Sequence, residues 1–296
     1  MKIHLIDGTF DLFRVYYAMP SLTSPDGTEV GAVRGIVKTI SKLLLEEEVT
    51  HVACAFDHVI TSFRNDLYDG YKAGNGVPRE LLNQFDLAEE IVSYLGVVVW
   101  PMIDFEADDA IGSAVEKWHN HPEVEQIVVC SADKDFNQLV RGNRVVIFDR
   151  IRGILRNEIS VEERFGIPPS LMPDYLALVG DSADGIPGIP HWGSKSASKV
   201  LSYYGKLENI PREAAQWQIK VRGSKLLSKT LNQNIENAVL FKKLASLKLD
   251  VPLRESLEDL QWRGVKEKEL RSFCDQMGFS EKFTTSLIRT SIDGGE

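Results

Sequence analysis

The sequence predicts an α/β fold in which a mostly parallel central sheet is flanked by helices and followed by a helical region. Five short apolar segments with strand character alternate with segments whose apolar residues repeat at helical spacing. This alternation is typical of parallel sheets, whose crossover connections are usually helices. After Asp149 the strand patterns give way to helical ones. We therefore expect one domain over residues 1–165 and a second, helical domain over residues 166–296.

The predicted elements follow one another in short steps along the first half of the chain. Helical spacing of apolar residues predicts helices over 33–45 and 80–95, and a third that begins near residue 107. Residues 68–78 are rich in Gly and Tyr and have no strong period, so we expect a mobile loop there, within an arch or loop at about 60–90. The predicted strands cover residues 2–6, 51–56, 97–100, 126–130 and 144–148.

Composition excludes several classes of protein. With 296 residues, 43% hydrophobic and 26% charged, the chain is typical of a globular protein with a full core. No apolar run is long enough for a membrane span, and the first residues become polar too soon for a signal peptide. Three cysteines without metal or redox spacing suggest buried thiols in a reducing compartment, so we expect a cytoplasmic protein that does not bind membranes.

Three carboxylates are concentrated in one short stretch. Glu106, Asp108 and Asp109 directly precede apolar residues at helical spacing, which places them in the first turn of a helix. The dipole and free N–H groups of a helix start favour one or two acids there. Three carboxylates this close repel one another and raise each other's pKa unless a cation lies between them. The stretch therefore predicts a metal site.

Further acids stand at the ends of other predicted strands. Asp7, Asp57 and Asp133 each follow an apolar strand segment, and the acidic helix start follows the third strand. Any one of these residues could be an ordinary turn or N-cap aspartate. Parallel sheets usually bind their ligands just outside the carboxyl ends of the strands. Acids at four strand ends therefore predict one shared metal site at that edge.

The charge is distributed unevenly. The formal net charge is −9, which by itself argues against a nucleic-acid partner. Without the nine acids of the predicted metal site, however, the remaining Asp and Glu would balance the 34 Lys and Arg. Residues 191–230 carry eight Lys and Arg against two Glu, which indicates a local basic patch.

These features together resemble the 5′-nuclease family, which includes the 5′-nuclease domain of bacterial DNA polymerase I and the flap endonucleases. Seven short blocks occur in the family's order between residue 3 and about residue 200, each weak alone and strong together. The blocks are Asp7-Gly8 with Arg14, Phe56-Asp57, Ser62-Phe63-Arg64, Gly70-Tyr71-Lys72-Ala73, Glu106-Ala107-Asp108-Asp109, Ala132-Asp133-Lys134-Asp135 and Gly180-Asp181-Ser182-Ala183-Asp184. The resemblance implies a PIN- or resolvase-like nuclease core and phosphodiester hydrolysis with two divalent ions, which would be Mg²⁺ with Mn²⁺ as a substitute.

The resemblance also implies roles for the acids and for two basic residues. Asp7, Asp57, Glu106 and Asp108 would surround the first ion, with Asp109 close by, partly through water. Asp133, Asp135, Asp181 and Asp184 would surround the second. The catalytic set would be Lys72, Arg64, Asp7 and Asp109, with the two basic residues contacting the scissile phosphate at the base of an arch. A solvated lysine beside a loop is the alternative for Lys72.

The family's helix–three-turn–helix, which grips duplex DNA, is matched at about residues 181–205. Helix N-termini bind phosphate well, and such contacts position a duplex without reading its sequence. Tyr71 would stack on a base near the 5′ end, although packing is an equal alternative. The DNA-binding residues implied are Arg14, Tyr71, Lys72, Gly188, Gly193, Ser194, Lys195 and Lys199.

Three features depart from the family pattern. The hairpin turn reads His191-Trp192-Gly193 and lacks the first glycine of the usual Gly-x-Gly, and Asn75 stands in a shortened segment where an Arg is usual. The chain also has no room for a polymerase domain, so we expect a free-standing, monomeric 5′-3′ exonuclease or flap endonuclease acting on DNA with 5′ ends or 5′ flaps. The alternatives are a non-catalytic protein of the same fold that binds branched DNA, and a Mg²⁺ phosphohydrolase acting on a small molecule.

Overall fold

The computed structural model of the chain describes residues 1–46, 48–72 and 76–293. Its centre is a six-stranded sheet in the order β3-β2-β1-β4-β5-β6. The first five strands are parallel, as predicted, and the sixth pairs antiparallel with the fifth at the edge. The strands are β1 (Lys2–Asp7), β2 (His51–Asp57), β3 (Val98–Met102), β4 (Gln126–Cys130), β5 (Val145–Asp149) and β6 (Ile154–Arg156).

A first group of helices alternates with the strands, and a second group follows the last strand. The first group is α1 (Gly8–Ala18), α2 (Gly31–Leu44), α3 (Phe63–Leu67), α4 (Arg79–Leu82), α5 (Phe85–Tyr94) and α6 (Ala107–Trp118). The second group is α7 (Glu158–Phe165), α8 (Met172–Val179), α9 (Ser194–Tyr204), α10 (Ser224–Gln233), α11 (Ile235–Ala245), α12 (Glu267–Gln276) and α13 (Glu281–Asp293). The fold class is confirmed: a mostly parallel sheet between helices, followed by a helical region.

Two details of the predicted elements are wrong. The strands do not stop at Asp149, because β6 forms a short hairpin with β5, and three residues are too few to show a period in the sequence. The helix predicted over 80–95 is divided into α4 and α5. The division falls at Gln84, whose amide oxygen accepts hydrogen bonds from the backbone N–H groups of Ala32 and Val33 at the start of α2.

The two faces of the sheet bury alternate residues of each strand, as the period of a strand requires. On one face Ile6, Cys54 and Phe56 pack with α1, α2 and α5. On the other face Ile3 and Leu5 pack with α6 and the stacked rings of Trp100 and Trp118. Because both faces are covered, the strands read as continuous apolar runs. The free cysteines Cys54, Cys130 and Cys274 are all buried.

The strand order places a cleft between β1 and β4. The chain leaves β1 to build β2 and β3 on one side, then crosses to build β4 and β5 on the other. The connections at the carboxyl ends of β1 and β4 therefore diverge, and the space between them is where open α/β sheets bind ligands. The predicted acids at the ends of β1, β2 and β4 all lie at this edge.

The helical region forms its own apolar core, and the last two helices of the chain pack back against the sheet layer. A second apolar core joins α8, α9, α10 and α11, and it includes Tyr71 from the segment after α3. Helices α12 and α13 then return to the sheet, where Leu270, Phe273 and Leu287 share the core of α2 and α5. In the part of the chain that the structure describes, no helix is both long and apolar enough to cross a membrane.

A buried arginine joins the sheet layer to the helical region. Arg64 on α3 is 1% exposed and donates two hydrogen bonds of 2.7 Å to the carboxylate of Asp109 on α6. Its remaining donors reach the backbone oxygens of Leu244, at 2.9 Å, and Ser246, at 2.9 Å, at the end of α11. This bidentate geometry is specific to the guanidinium group. Arg64 therefore connects α3, α6 and α11.

We predict that Arg64→Met lowers the free energy of unfolding by about 3–5 kcal/mol, because it leaves the buried Asp109 carboxylate without its partner. Urea denaturation measures this change. Arg271→Ala is the matched control, since Arg271 pairs with Glu267 at 2.9 Å on the exposed face of α12 and such pairs are worth about 0–1 kcal/mol. Equal losses in the two variants would contradict the linking role of Arg64.

Candidate active site

The predicted acids meet around one open cleft at the carboxyl edge of the sheet. The cleft has a volume of about 420 Å³. Carboxylates from β1, β2, the start of α6 and the segment after β4 line it, and one from the loop after α8 completes the set. They are Asp7, Asp57, Asp108, Asp133 and Asp184. The structure thus brings together residues more than 170 positions apart in the sequence.

Asp7 and Asp57 are held by the elements that follow them. Asp7 caps α1 by accepting a hydrogen bond of 2.9 Å from the backbone N–H of Phe10, and its other oxygen accepts from the Ser131 hydroxyl at 2.9 Å. Asp57 accepts from the backbone N–H of Ala107 at 2.6 Å, at the start of α6. Hydrogen bonds from helix N–H groups therefore fix where both of these cleft-lining carboxylates point.

The carboxylates that line the cleft are difficult to ionise together. Burial raises the pKa of Asp7 to about 8, and the neighbouring charges of Asp133 and Asp57 act in the same direction. Burial also raises the pKa of Asp57, and that of Asp108 well above its usual value, with Asp7 adding to the effect on Asp108. A divalent cation favours the ionised form of every carboxylate around it. The electrostatics of the cleft therefore suit cation binding.

A second group of carboxylates lies beside the first. Oxygens of Asp135, Asp181 and Asp184 all lie within 4.8 Å of one another. Asp135 is 5% exposed, and its Oδ1 has no hydrogen-bond partner among the described residues. A buried acceptor without a donor is costly, and an oxygen-rich group of this size suits a hard divalent ion. The residues therefore fit a divalent metal.

Lysine side chains reach into both groups. The Lys72 ammonium is 2.6 Å from Glu106 Oε2 and 4.0 Å from Asp184 Oδ1. Lys134 pairs with Asp181 Oδ1 at 2.8 Å. Burial alone would raise the pKa of Glu106, but the charges of Lys72 and Arg64 bring it down to about 2.

Glu106 acts here as a support for basic groups. Its oxygens accept hydrogen bonds from the hydroxyls of Ser62, at 2.5 Å, and Tyr71, at 3.1 Å, in addition to the Lys72 ammonium, and Arg64 lies at 3.2 Å. Glu106 is 3% exposed and does not line the cleft. These donors occupy the Glu106 oxygens in the structure and hold the Lys72 ammonium at the edge of the cleft. The place of Glu106 beside the first metal ion stays a prediction.

Three other predicted site residues are buried in the structure, so their predicted roles stay untested. Asp109 is 0% exposed, and its oxygens are occupied by Arg64 and by the backbone N–H groups of Glu106 and Lys248. The donors of Arg64 are engaged by protein partners, and the residue is 1% exposed. The ring of Tyr71 is 3% exposed within the second core, so packing, and not base stacking, is what the structure shows.

Lys72 owes its position to an unusual backbone. Its φ of +46° lies in the left-handed region, which residues other than glycine rarely occupy, and its N–H donates to the carbonyl of Asp184 at 2.9 Å. A Cβ at Gly185 would lie 2.1 Å from the carbonyl oxygen of Gly70, so only glycine permits this approach. Ala73, the last residue of the predicted block, and Asn75, which departs from the family pattern, lie outside the described residues.

The residues predicted to bind a duplex fall into two sets. Gly193, Ser194, Lys195 and Lys199 are exposed at the start of α9. Gly188 is buried: a Cβ there would lie 2.6 Å from the backbone nitrogen of Gly180, so its glycine serves the turn.

Arg14 is partly buried on α1, far along the chain from α9. Its guanidinium group donates to Asp11 at 3.1 Å and to the Thr39 hydroxyl at 3.3 Å. The charge of Arg14 is therefore already paired within the protein, and the structure gives it no contact with the start of α9.

Several residues that build the site were missed from sequence. Arg164, at the end of α7, lines a surface cleft of about 410 Å³ together with Lys195 and Lys199. Ser131 and Ser62 orient acids through their hydroxyls. Ser131 adjoins the Asp133 block and Lys134 lies within it, so proximity to those acids was an available signal. No sequence signal pointed to Arg164, because this residue comes near α9 only in the folded chain.

Solved structures with the same fold include nucleases. A structure of T5 5′-exonuclease with bound divalent metal ions (zinc) aligns with a TM-score of 0.66 and 16% identity over 98% of this chain and 100% of that one. The catalytic core of Rad2 in complex with DNA substrate aligns with a TM-score of 0.62 and 16% identity, covering 97% of this chain and 91% of the other. At these identities the likeness establishes the fold.

Sequence comparison establishes the family. A family model described as 5′-3′ exonuclease, N-terminal resolvase-like domain, matches residues 2–166, and one described as 5′-3′ exonuclease, C-terminal SAM fold, matches residues 167–268. The 5′-3′ exonuclease of Buchnera aphidicola subsp. Acyrthosiphon pisum is 33% identical over 86% of this chain and 90% of its own length. DNA polymerase I of Bacillus caldotenax is 34% identical over 94% of this chain, which spans only 31% of that relative. The chain belongs to the 5′-3′ exonuclease family.

Proposed function

We propose that this protein is a divalent-metal-dependent 5′-3′ exonuclease and flap endonuclease that hydrolyses DNA phosphodiester bonds near 5′ ends. The observation that carries the proposal is the convergence of five carboxylates and Lys72 on one open cleft. The family and the relative named 5′-3′ exonuclease support it. The proposal places the activity in the cytoplasm, where the buried thiols would stay reduced.

The acids would hold two divalent ions, with Mg²⁺ as the expected metal and Mn²⁺ as a substitute. Asp7, Asp57 and Asp108 face the position of the first, and Asp135, Asp181 and Asp184 that of the second, with Asp133 between the groups. Such a pair of ions stabilises the attacking and leaving oxygens of a phosphoryl displacement. The structure of T5 5′-exonuclease with bound divalent ions supports this assignment.

Lys72 would supply positive charge at the phosphate. Its side chain is 30% exposed and lines the cleft, and its ammonium is held by Glu106. Preorganised charge of this kind stabilises a developing oxyanion without reorganisation during the reaction. Glu106 and its hydroxyl donors would act indirectly, by holding the ammonium at the edge of the cleft.

The exposed start of α9 would hold duplex DNA beside the cleft. Lys195 and Lys199 project there, and Arg164 from α7 lines the same surface cleft. Phosphate contacts of this type fix the position of a duplex and carry no sequence information. The complex of the Rad2 catalytic core with DNA supports this part of the proposal. The nuclease would thus recognise DNA structure, with a monomer as the expected active form.

The first prediction separates the chemistry from DNA binding. Asp184→Asn removes one carboxylate charge from the second acidic group and no basic residue, so affinity for a 5′-flap DNA should be unchanged or slightly higher. The cleavage rate should fall by about 10²–10³, the usual cost of losing one preorganised electrostatic element. Single-turnover cleavage in Mg²⁺ and equilibrium binding to the same DNA measure the two effects.

Asp275→Asn is the control for this variant, because Asp275 is exposed on α12 and makes no ion pair among the described residues. It should leave both quantities unchanged. Cleavage by Asp184→Asn at the wild-type rate at low Mg²⁺ would show that Asp184 is only a turn residue. No cleavage by the wild-type protein would favour the non-catalytic alternative.

The second prediction concerns the duplex. Lys195→Ala and Lys199→Ala should each weaken binding by a similar factor for all duplex sequences, and each should reduce the salt dependence of binding by about one unit of slope. Binding isotherms at several salt concentrations test this, with Lys268→Ala on α12 as the control, since its side chain is exposed and distant in sequence. A loss confined to one DNA sequence, or no loss, would remove α9 from the interface.

A further inference from the structure

A groove between α2 and α13 has no role in the function proposed above. Its volume is about 520 Å³, which is larger than that of the acidic cleft. We call it the α2–α13 groove. It combines a row of cations, an apolar floor and a buried hydroxyl. The residues on which these three features depend are Arg34, Lys38, Ser41, Lys42, Leu45 and Phe283.

The outer face of α2 carries only positive charge. Arg34, Lys38 and Lys42 follow one another at intervals of four residues, so they lie along one side of the helix about 6 Å apart. All three are exposed, and none forms an ion pair among the described residues. Helix α2 contains no Asp or Glu, and no acid lines the groove in the described part of the chain. A chain with a formal net charge of −9 thus keeps a basic rim here.

The floor of the groove is apolar. Leu287 is 3% exposed and belongs to the core shared by α2 and α5, and Met19 and Phe283 pack against the same core. Leu45, which follows α2, also lines the groove and is 52% exposed. A single exposed leucine is ordinary. Here it extends an apolar floor beside a row of cations, so the groove offers apolar surface and positive charge side by side.

A buried hydroxyl at the groove is unpaired. Ser41 lies between Lys38 and Lys42 along α2 and is 7% exposed, and its Oγ has no hydrogen-bond partner among the described residues. A helical serine or threonine can donate to the carbonyl four residues earlier, as Thr39 does to Gly35 at 2.9 Å. Ser41 makes no such bond. Because buried polar groups are nearly always paired, this hydroxyl indicates a place for a polar group of a ligand.

We propose that the α2–α13 groove binds an acidic segment of a partner protein, whose carboxylates pair with Arg34, Lys38 and Lys42 and whose apolar side chains lie on the floor. Complementary charge of this kind selects a partner and speeds its association. The row of cations spans about 12 Å, which is the length of about four residues of an extended chain. This inference goes beyond the proposed nuclease function and does not depend on it.

The chemistry of the groove favours a peptide over other occupants. Base stacking requires an open aromatic face, and Phe283 is the one aromatic residue among the described residues that line the groove. The Arg34 guanidinium lies over this ring, 5.2 Å from its centroid, and the ring of Phe279 contacts it as well, with centroids 5.5 Å apart. A symmetric contact between two copies of this chain would place one row of cations against the other, which is unfavourable.

Selection from a library of short random peptides tests the proposal without assuming a sequence. The whole protein and the charge-reversed variant Lys38→Glu/Lys42→Glu would be presented in parallel to phage that display the library. Enriched peptides would be synthesised with a fluorescein label, and their affinity measured by anisotropy at several salt concentrations. The matched control is Lys268→Glu/Arg271→Glu, which reverses two exposed cations on α12 outside the groove. Melting temperatures of all variants verify folding.

We expect the peptides enriched on wild type to carry several Asp or Glu beside at least one large apolar residue, and to bind less tightly as salt rises. Lys38→Glu/Lys42→Glu should weaken them by about 10-fold or more, because exposed ion pairs are lost and repulsion replaces them. Leu45→Ala should weaken them by up to about 10-fold. The α12 control should not change their affinity, nor should Val239→Ala, which removes an apolar side chain that is 49% exposed on α11.

Three results of the selection would overturn the proposal: no enrichment, enrichment of peptides without acidic residues, or equal affinity of the enriched peptides for wild type and the charge-reversed variant. These measurements contain no DNA and no metal, so they decide the matter whether or not the protein cleaves DNA.

Two further measurements distinguish the other occupants. Titration with a 5′-flap DNA and with single-stranded DNA should show no larger change for Lys38→Glu/Lys42→Glu than for the α12 control. A loss of DNA affinity with unchanged peptide affinity would make the groove a DNA contact and overturn the proposal. Sedimentation equilibrium should show the same mass for wild type and the charge-reversed variant. Self-association that this variant abolishes would assign the groove to a second copy and would also overturn the proposal.

Discussion

Repulsion among partly buried carboxylates is the constraint on which the rest of the structure depends. The sheet changes direction between β1 and β4, and this opens a cleft where five acids face one another. Burial and mutual repulsion raise the pKa of Asp7, Asp57 and Asp108, so the fold stores an unfavourable charge arrangement that cations would relieve. Lys72 and Lys134 provide part of that relief from within the chain. Local strain kept at a functional site and offset elsewhere is a common pattern.

The acids of the predicted set divide into two kinds by what already satisfies them. Asp109 and Glu106 are enclosed by donors from Arg64, Ser62, Tyr71 and Lys72, and they build the frame that connects α3, α6 and α11. Of the others, five line the cleft, and beside them Asp135 Oδ1 has no hydrogen-bond partner among the described residues. Because Lys72 is held by a frame acid and lines the cleft, the frame determines where positive charge lies in the cleft.

Sequence reasoning succeeded where a short pattern carries a physical requirement. Apolar runs separated by helical spacing predicted the parallel sheet, and acids at several strand ends predicted that Asp7, Asp57, Asp108 and Asp133 would meet. It failed where burial decides the role. Asp108 and Asp109 are adjacent in sequence, yet one lines the cleft and the other is 0% exposed, because one helical step turns the side chain from the opening to the interior. Arg164 was missed because only the fold brings it beside α9.

The central claim is that the cleft holds two divalent ions, and anomalous diffraction from crystals grown in Mn²⁺ tests it most directly. The account predicts two peaks, one beside Asp7, Asp57 and Asp108 and one beside Asp135, Asp181 and Asp184. Asp184→Asn crystals should show the second peak weakened relative to the first. No peak in the cleft at saturating Mn²⁺, or Mn²⁺ bound only elsewhere on the protein, would contradict the account.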